Sequence, residues 1–270
     1  MTNAEYHANK ALGSSLIKEV LINARKFKAM WDGDLKIEGK NLDVGSALHK
    51  IVLEPDEFDD EFAVAPQVNK RTKAGKEEFA KFTLENEGKI ILTAEDFELV
   101  ESMKEKLLKL PNMKKWLESG VAEKSFFCNI DGVDIKCRPD LLVKTKAGYI
   151  VIDLKTMSGE ATADNFTKTS GNFLYHLQDA VYREVLRRND IKVIDFIFAG
   201  VSKLDYSGAD YFRHDITSLD LGKELMQKAL FKFKWCLKHD EWSEGKFDFI
   251  NGGFEKISTI VLPNYCWYQF

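Results

Sequence analysis

Apolar residues recur at helical spacing over roughly the first 110 positions and then alternate as strands do, so the chain changes period near its middle. Ser14 to Trp31 reads as a helix, with Leu16, Val20, Leu21 and Ala24 on one face and Ser14 or Ser15 as its cap. Gly45 to Leu53 is a second helical pattern and holds His49 one turn from Gly45. Glu77 to Glu87 and Thr93 to Leu108 follow. Thr93 with Asp96 three positions on is close to a capping box, and Pro111 ends the run. Strands are predicted at Glu123 to Ile130, Asp134 to Val143 and Tyr149 to Lys155, then a helix at Phe173 to Arg188 and a strand at Val193 to Val201. Tyr206 to His214 reads as another strand. Leu219 to His239 reads as a long helix with Leu221, Leu225, Ala229 and Phe233 at helical spacing, and its aromatic cluster Phe231, Phe233 and Trp235 reads as core. The tail carries Tyr265, Trp267, Tyr268 and Phe270, apolar enough to pack against the domain or a neighbouring subunit. The expected class is α/β, a sheet with helices packed on it.

The strands at 134–143 and 149–155 are joined by turn residues Lys144 to Gly148 and form a hairpin. A hairpin symmetric about Lys146 and Ala147 sets Asp140 of Arg138-Pro139-Asp140 opposite Asp153 of Ile152-Asp153-Leu154-Lys155, with side chains roughly 5 Å apart. Two carboxylates at that separation repel unless a cation lies between them. Asp153 and Lys155 project from one face, while Leu154 points into the core. Mg²⁺ suits such a place, because it takes a few carboxylate oxygens, keeps several waters and completes its octahedron with substrate phosphate. Lys155 would orient a water or stabilise charge on the phosphate. The chemistry suggested is metal-dependent cleavage of a phosphodiester. An Asp-x-Lys strand beside a Pro-Asp turn also occurs in sheets with no catalytic role, so the hairpin alone leaves the matter open. Read singly, His49 is a core histidine. Gln178 and Tyr182, at i and i+4, read as an ordinary half-buried helix surface beside the packed Leu174, Leu177, Val181 and Val185.

In order, the His49 helix, Glu123 before a strand, the Pro-Asp strand, the Asp-Leu-Lys strand and the Gln178-x-x-x-Tyr182 helix resemble the P-D…(D/E)-x-K nucleases of the RecB-like type. Within that superfamily the chain is similar to the phage exodeoxyribonuclease VIII (RecE-type) nuclease domain. Gly45-Ser46-Ala47-Leu48-His49 running into Leu53-Glu54-Pro55 carries the likeness, with the Ser14-Ser15-Leu16-Ile17-Lys18 helix start and the basic Lys70-Arg71-Thr72-Lys73-Ala74-Gly75-Lys76 stretch. The resemblance spans about residues 5 to 190. It implies a restriction-endonuclease-like core with a mixed central sheet flanked by helices and an N-terminal helical segment. One nuclease domain would fill 1–270: mainly helical over 1–110, the catalytic sheet and the Gln178/Tyr182 helix over 120–205, a helix and tail over 206–270. It implies that His49, Asp140, Asp153 and Leu154 surround Mg²⁺, with Mn²⁺ able to substitute, and that Lys155 is the catalytic lysine. Gln178, Tyr182 and Glu123 belong to the same catalytic set, and Glu54 is read as structural. The implied activity is 5′ to 3′ degradation of linear double-stranded DNA, leaving 3′ single strands for recombination by a RecT-type annealing protein. A homo-oligomer, a tetrameric ring, and a phage or prophage origin in a bacterial host belong to the same resemblance.

Composition changes the picture little. The 270 residues are 44% hydrophobic, enough for one sizeable core, and no stretch matches a membrane span or a signal peptide, so a cytoplasmic protein is expected. Cys128, Cys137, Cys236 and Cys266 are scattered and suggest neither a disulfide nor an iron–sulfur cluster. A net charge of −4 runs against phosphate binding. Acids concentrate at Glu54 to Glu61 and Glu95 to Glu105, however, leaving Lys70, Arg71, Lys73 and Lys76 as a DNA-gripping segment or a solvated loop. Two other functions remain beside the exonuclease: a PD-(D/E)XK endonuclease, which would not need the His49 helix or the Gln178/Tyr182 pair, and a non-catalytic DNA-binding module, which would not need Asp140, Asp153 and Lys155 together.

Overall fold

The computed structural model describes residues 1–36, 39–69 and 71–255. Lys70, Cys266 and the aromatic tail lie outside them. The helical half holds α1 (Asn3–Ala8), α2 (Ser14–Ile22), α3 (Ala24–Asp32) and α4 (Lys40–Leu53). The single helix expected over 14–31 is two, because Asn23 turns extended and its side chain caps the Lys26 N–H at 2.8 Å. There follow α5 (Phe58–Glu61), β1 (Phe62–Val64), α6 (Lys73–Glu85), β2 (Ile90–Leu92), α7 (Ala94–Leu108) and α8 (Met113–Ser119), with β1 and β2 paired in parallel.

The second half holds β3 (Val121–Ala122), β4 (Phe126–Ile130), β5 (Val133–Cys137), β6 (Leu141–Lys144), β7 (Tyr149–Met157), α9 (Ala163–Phe173), α10 (Tyr175–Arg188), β8 (Val193–Ser202), β9 (Ala209–Phe212) and α11 (Ile216–His239). Five of these strands form the central sheet in the order β3-β6-β7-β8-β9. β7 and β8 are parallel, joined through α9 and α10, and the other neighbours are antiparallel, so the sheet is mixed as expected. The strand expected over 134–143 is split at Pro139. Its first part leaves the central sheet and pairs with β4, in a hairpin closed by Asp131 and Gly132, both at positive φ as a two-residue turn requires, and on its other edge bridges to Leu12. The helix expected over 173–188 begins at Tyr175, since Leu174 takes the left-handed conformation and separates it from α9.

Alternation across the sheet sends Leu142, Val151, Phe196 and Phe198 into a core shared with α2, α10 and α11. Leu141, Val143, Ile152, Leu154, Ala199 and Val201 point into a second core against α4 and α7. The α11 face is rotated from the expected one: Leu221 is exposed, while Met226, Ala229, Leu230, Phe233 and Cys236 are buried. Cys128 is half-buried, and Cys137 and Cys236 are buried. No helix among the described residues is long and apolar enough to cross a membrane.

Candidate active site

β6 begins at Leu141, opposite Ile152, and β7 runs on past it. Continued by two residues, the same register sets Pro139 opposite Leu154. Proline has no N–H to donate, so β6 leaves the Leu154 carbonyl unsatisfied. Side chains take over that edge. The Leu154 N–H donates to Asp140 Oδ2 at 2.6 Å, and His49 Nε2 lies 3.1 Å from the Leu154 carbonyl oxygen. A carbonyl only accepts, so Nε2 carries the proton, and in the neutral ring Nδ1 keeps a lone pair. That nitrogen is 3.3 Å from Asp140 Oδ2, a contact that calls for a proton or a metal cation between the two atoms. Leu154 contributes its backbone here; its side chain is in the core.

Glu123 arrives from the β3–β4 link. Its φ of 50° is left-handed, strained for a residue with a side chain, and its N–H donates to the Asp140 carbonyl at 3.2 Å. His49, Glu123 and Asp140 each offer a donor atom within 4.8 Å of the others. Burial first, and the Asp140 charge second, push the Glu123 carboxyl up to about 8, against the pull of Arg138, whose Nε is 4.0 Å away. Two crowded carboxyl groups and an imidazole lone pair, with no thiolate, suit a divalent cation that takes oxygen and nitrogen donors.

Asp153 stands beside this group rather than in it. It is wholly buried; Oδ1 is paired with Lys155 Nζ, and Oδ2 accepts from Gln178 Nε2. Burial raises its carboxyl to about 6, with Lys155 opposing the rise and Asp140 adding to it. For Lys155, burial favours the neutral amine, but the charges of Asp153 and Asp140 outweigh it and hold the pKa above its ordinary value. Lys155 therefore stays an ammonium, 4.9 Å from the centroid of the Tyr175 ring. Tyr182, one turn beyond Gln178, donates its hydroxyl proton to the Arg138 carbonyl at 3.3 Å and so fixes the turn leading into Asp140.

His49, Glu123, Asp140 and Tyr182 line a cleft of about 1070 Å³ together with Thr2, Tyr6, Ser14 and Ser15; Asp153, Lys155 and Gln178 lie behind this lining rather than in it. Several of its residues escaped sequence reasoning. Arg138 donates to Ser125 Oγ, Asn3 Oδ1 and the carbonyls of Met1 and Thr2, and lies 4.3 Å from the Tyr6 ring centroid. It ties the N-terminal segment over the cleft; its position next to Pro139-Asp140 was the available signal. Lys50, one position after His49, is ringed by Glu54, Glu57 and Glu61 at 2.8 to 3.0 Å, which gives Glu54 a structural partner on the cleft wall. Arg71, Lys73 and Lys76 are exposed, and none is among the residues lining the cleft.

The family described as a PDDEXK-like domain of unknown function, DUF3799, matches residues 13–250. Among solved structures, the fold is similar to that of a "putative exonuclease" from Eubacterium rectale, at 17% identity and a TM-score of 0.58, covering 93% of this chain and 97% of that one. A phage related exonuclease from Haemophilus somnus 129PT is a looser match, with 16% identity, a TM-score of 0.34, and 73% and 95% of the two chains covered. No curated protein matches the sequence. The chain belongs to the DUF3799 family of PDDEXK-like domains and is by fold and family a nuclease-type enzyme.

Proposed function

We propose that this protein is a Mg²⁺-dependent exodeoxyribonuclease that degrades linear double-stranded DNA from its ends, 5′ to 3′, and leaves 3′ single strands for phage-type recombination. The observation that carries the reading is the contact between two half-sites at the end of one hairpin: a three-donor group, His49, Glu123 and Asp140, and beside it the Asp153, Lys155 and Gln178 network. A divalent cation held by the first, with Asp153 close by, would supply Lewis-acid polarisation of the phosphate and a water of lowered pKa.

The protein's own groups do the rest. Lys155, kept charged by Asp153, donates hydrogen bonds to phosphate oxygen as negative charge accumulates there, and is the wrong protonation state for a general base. Gln178 holds the Asp153 carboxylate in the orientation that pairs it with Lys155. Tyr182 holds the Arg138 carbonyl, and so sets where Asp140 points. Lys70, Arg71, Lys73 and Lys76 grip duplex phosphates, independent of sequence. A RecT-type annealing protein receives the single strand, and copies of the chain assemble as a ring around the duplex.

The test is incubation of linear and covalently closed circular duplex DNA, each end-labelled where it has ends, with Mg²⁺, Mn²⁺ or EDTA. Metal-dependent loss of the linear substrate only, with a 5′ label released before a 3′ label, is the expected result. Nicking or linearisation of the circle would favour an endonuclease, and DNA retention without any cleavage would favour a non-catalytic module.

A further inference from the structure

Phe173 ends α9 with 54% of its surface exposed, yet one side of its ring is used. It stacks on Tyr175 at 5.8 Å between centroids and 16° between planes, and Tyr175 stacks on buried Phe198 at 5.7 Å and 19°. In a continuous helix, residues two apart point to different faces and cannot stack. The left-handed Leu174, at φ 55°, turns the chain so that they do, and Leu is an unfavourable residue for that conformation. The column has a chemical direction. The Lys155 ammonium sits over its middle ring, Tyr175. At its outer end Lys18 Nζ lies over the Phe173 ring, 5.9 Å from its centroid, at the long end of a cation–π contact, and the ring still keeps 54% of its surface exposed. Lys18 follows Ser14 and Ser15 on α2 by one turn, and both serines line the catalytic cleft.

We propose that Phe173 is a base-stacking platform for the DNA strand entering the site, with Lys18 holding a neighbouring phosphate. The inference rests on the nuclease reading and deepens it. A stacked strand advances about 3.4 Å per nucleotide, so two ring contacts from Lys155 correspond to a base a few nucleotides from the cleaved phosphate. Aromatic stacking accepts every base, as an enzyme that digests any sequence requires, and a lysine beside the ring adds the backbone charge contact.

The experiment places 2-aminopurine in turn at each of the terminal nucleotides of a short duplex and titrates the protein with Ca²⁺ in place of Mg²⁺. The parent should quench one position, and Phe173→Ala should abolish that quenching and weaken binding about 5- to 150-fold. Phe173→Trp should retain both. Phe173→Leu preserves bulk over Tyr175 without a π-face and should behave like Phe173→Ala, which separates stacking from folding. Parent-like quenching and affinity in Phe173→Leu would overturn the platform, and so would quenching that persists in Phe173→Ala. If the parent digests linear DNA while those variants match it, the platform alone fails. A parent that neither binds nor cuts DNA overturns both readings.

Discussion

Asp140 and Asp153 stand opposite each other at the end of one hairpin, and the protein treats them differently. Asp153 has no exposed surface and is completed from within, by Lys155 on one oxygen and Gln178 on the other. Asp140 has one backbone N–H, then a histidine nitrogen and a second carboxyl group pushed up to about 8. The first environment offsets its buried charge from within, by an ion pair and an amide; the second sets carboxyl groups and an imidazole nitrogen against one another. A buried ion pair is costly to break, because the remaining charge keeps its desolvation penalty, whereas crowded acids gain when one is removed. The half-site around Asp153 is thus paired within the protein, and the half-site around Asp140 is the one that a cation would relieve.

The strongest test of this contrast measures activity and stability together. Asp140→Asn and Asp153→Asn should each lower DNA digestion by about 10²- to 10³-fold or more. In EDTA they should part company. Asp153→Asn strands the Lys155 charge and should lower unfolding free energy by about 3–5 kcal/mol, which Asp153→Asn with Lys155→Met should largely restore. Asp140→Asn keeps an acceptor for the Leu154 N–H and should stay within about 1 kcal/mol of the parent or exceed it. Urea unfolding that ranks the two equally would remove the distinction. Lys155→Ala comes next: turnover should fall about as far, while calorimetry finds metal binding near the parent's, since Lys155 pairs with Asp153 and not with the three-donor group.

The same contrast explains what could be read from the sequence. The hairpin register was legible because alternation and a short turn fix it, and it set Asp140 opposite Asp153, as the pairing of Leu141 with Ile152 requires. Gln178 and Tyr182 share a helix face at any packing angle, and both reach the site. Three features were not legible. Pro139 ends a strand rather than sitting in one, and this lets side chains satisfy Leu154. Glu123, expected before a strand, reaches the site through a left-handed backbone that no residue pattern announces. Leu174 breaks a segment whose apolar spacing is fully helical. Each is a backbone choice imposed by tertiary contacts, and local periodicity carries no trace of it.

Proton linkage sharpens the comparison further. The Glu123 carboxyl rises from an ordinary 4.5 to about 8, so the folded state holds that proton more tightly than the unfolded chain does. The resulting stabilisation is present below pH 4.5 and is lost as pH rises through about 8, and every tenfold tightening of the hold on the proton is equivalent to about 1.4 kcal/mol. Asp153, raised from 3.8 to about 6, has the same sign over a lower window. Metal-free protein should therefore lose thermal stability from pH 5 to pH 8. Glu123→Gln should flatten the upper part of that decline, and saturating divalent metal should do so in the parent by replacing the proton. A decline equally steep with metal would show that the three-donor group does not bind it.

His49 lies on the boundary between the two environments, and its removal should have the smallest effect. Its Nε2 satisfies the carbonyl of Leu154, next to Asp153, while Nδ1 faces Asp140. If Nδ1 is a metal donor, His49→Ala should raise the metal concentration for half-maximal activity by about 10- to 100-fold, while saturating metal restores most of the rate. Imidazole is a better donor to transition metals than to Mg²⁺, so the loss should be larger for Mn²⁺. His49→Gln, which can still donate to the Leu154 carbonyl, should keep stability but share the weakened metal response. Unchanged half-saturation for both metals in both variants would reduce His49 to a clamp on the β7 edge and leave Glu123 and Asp140 to hold the ion.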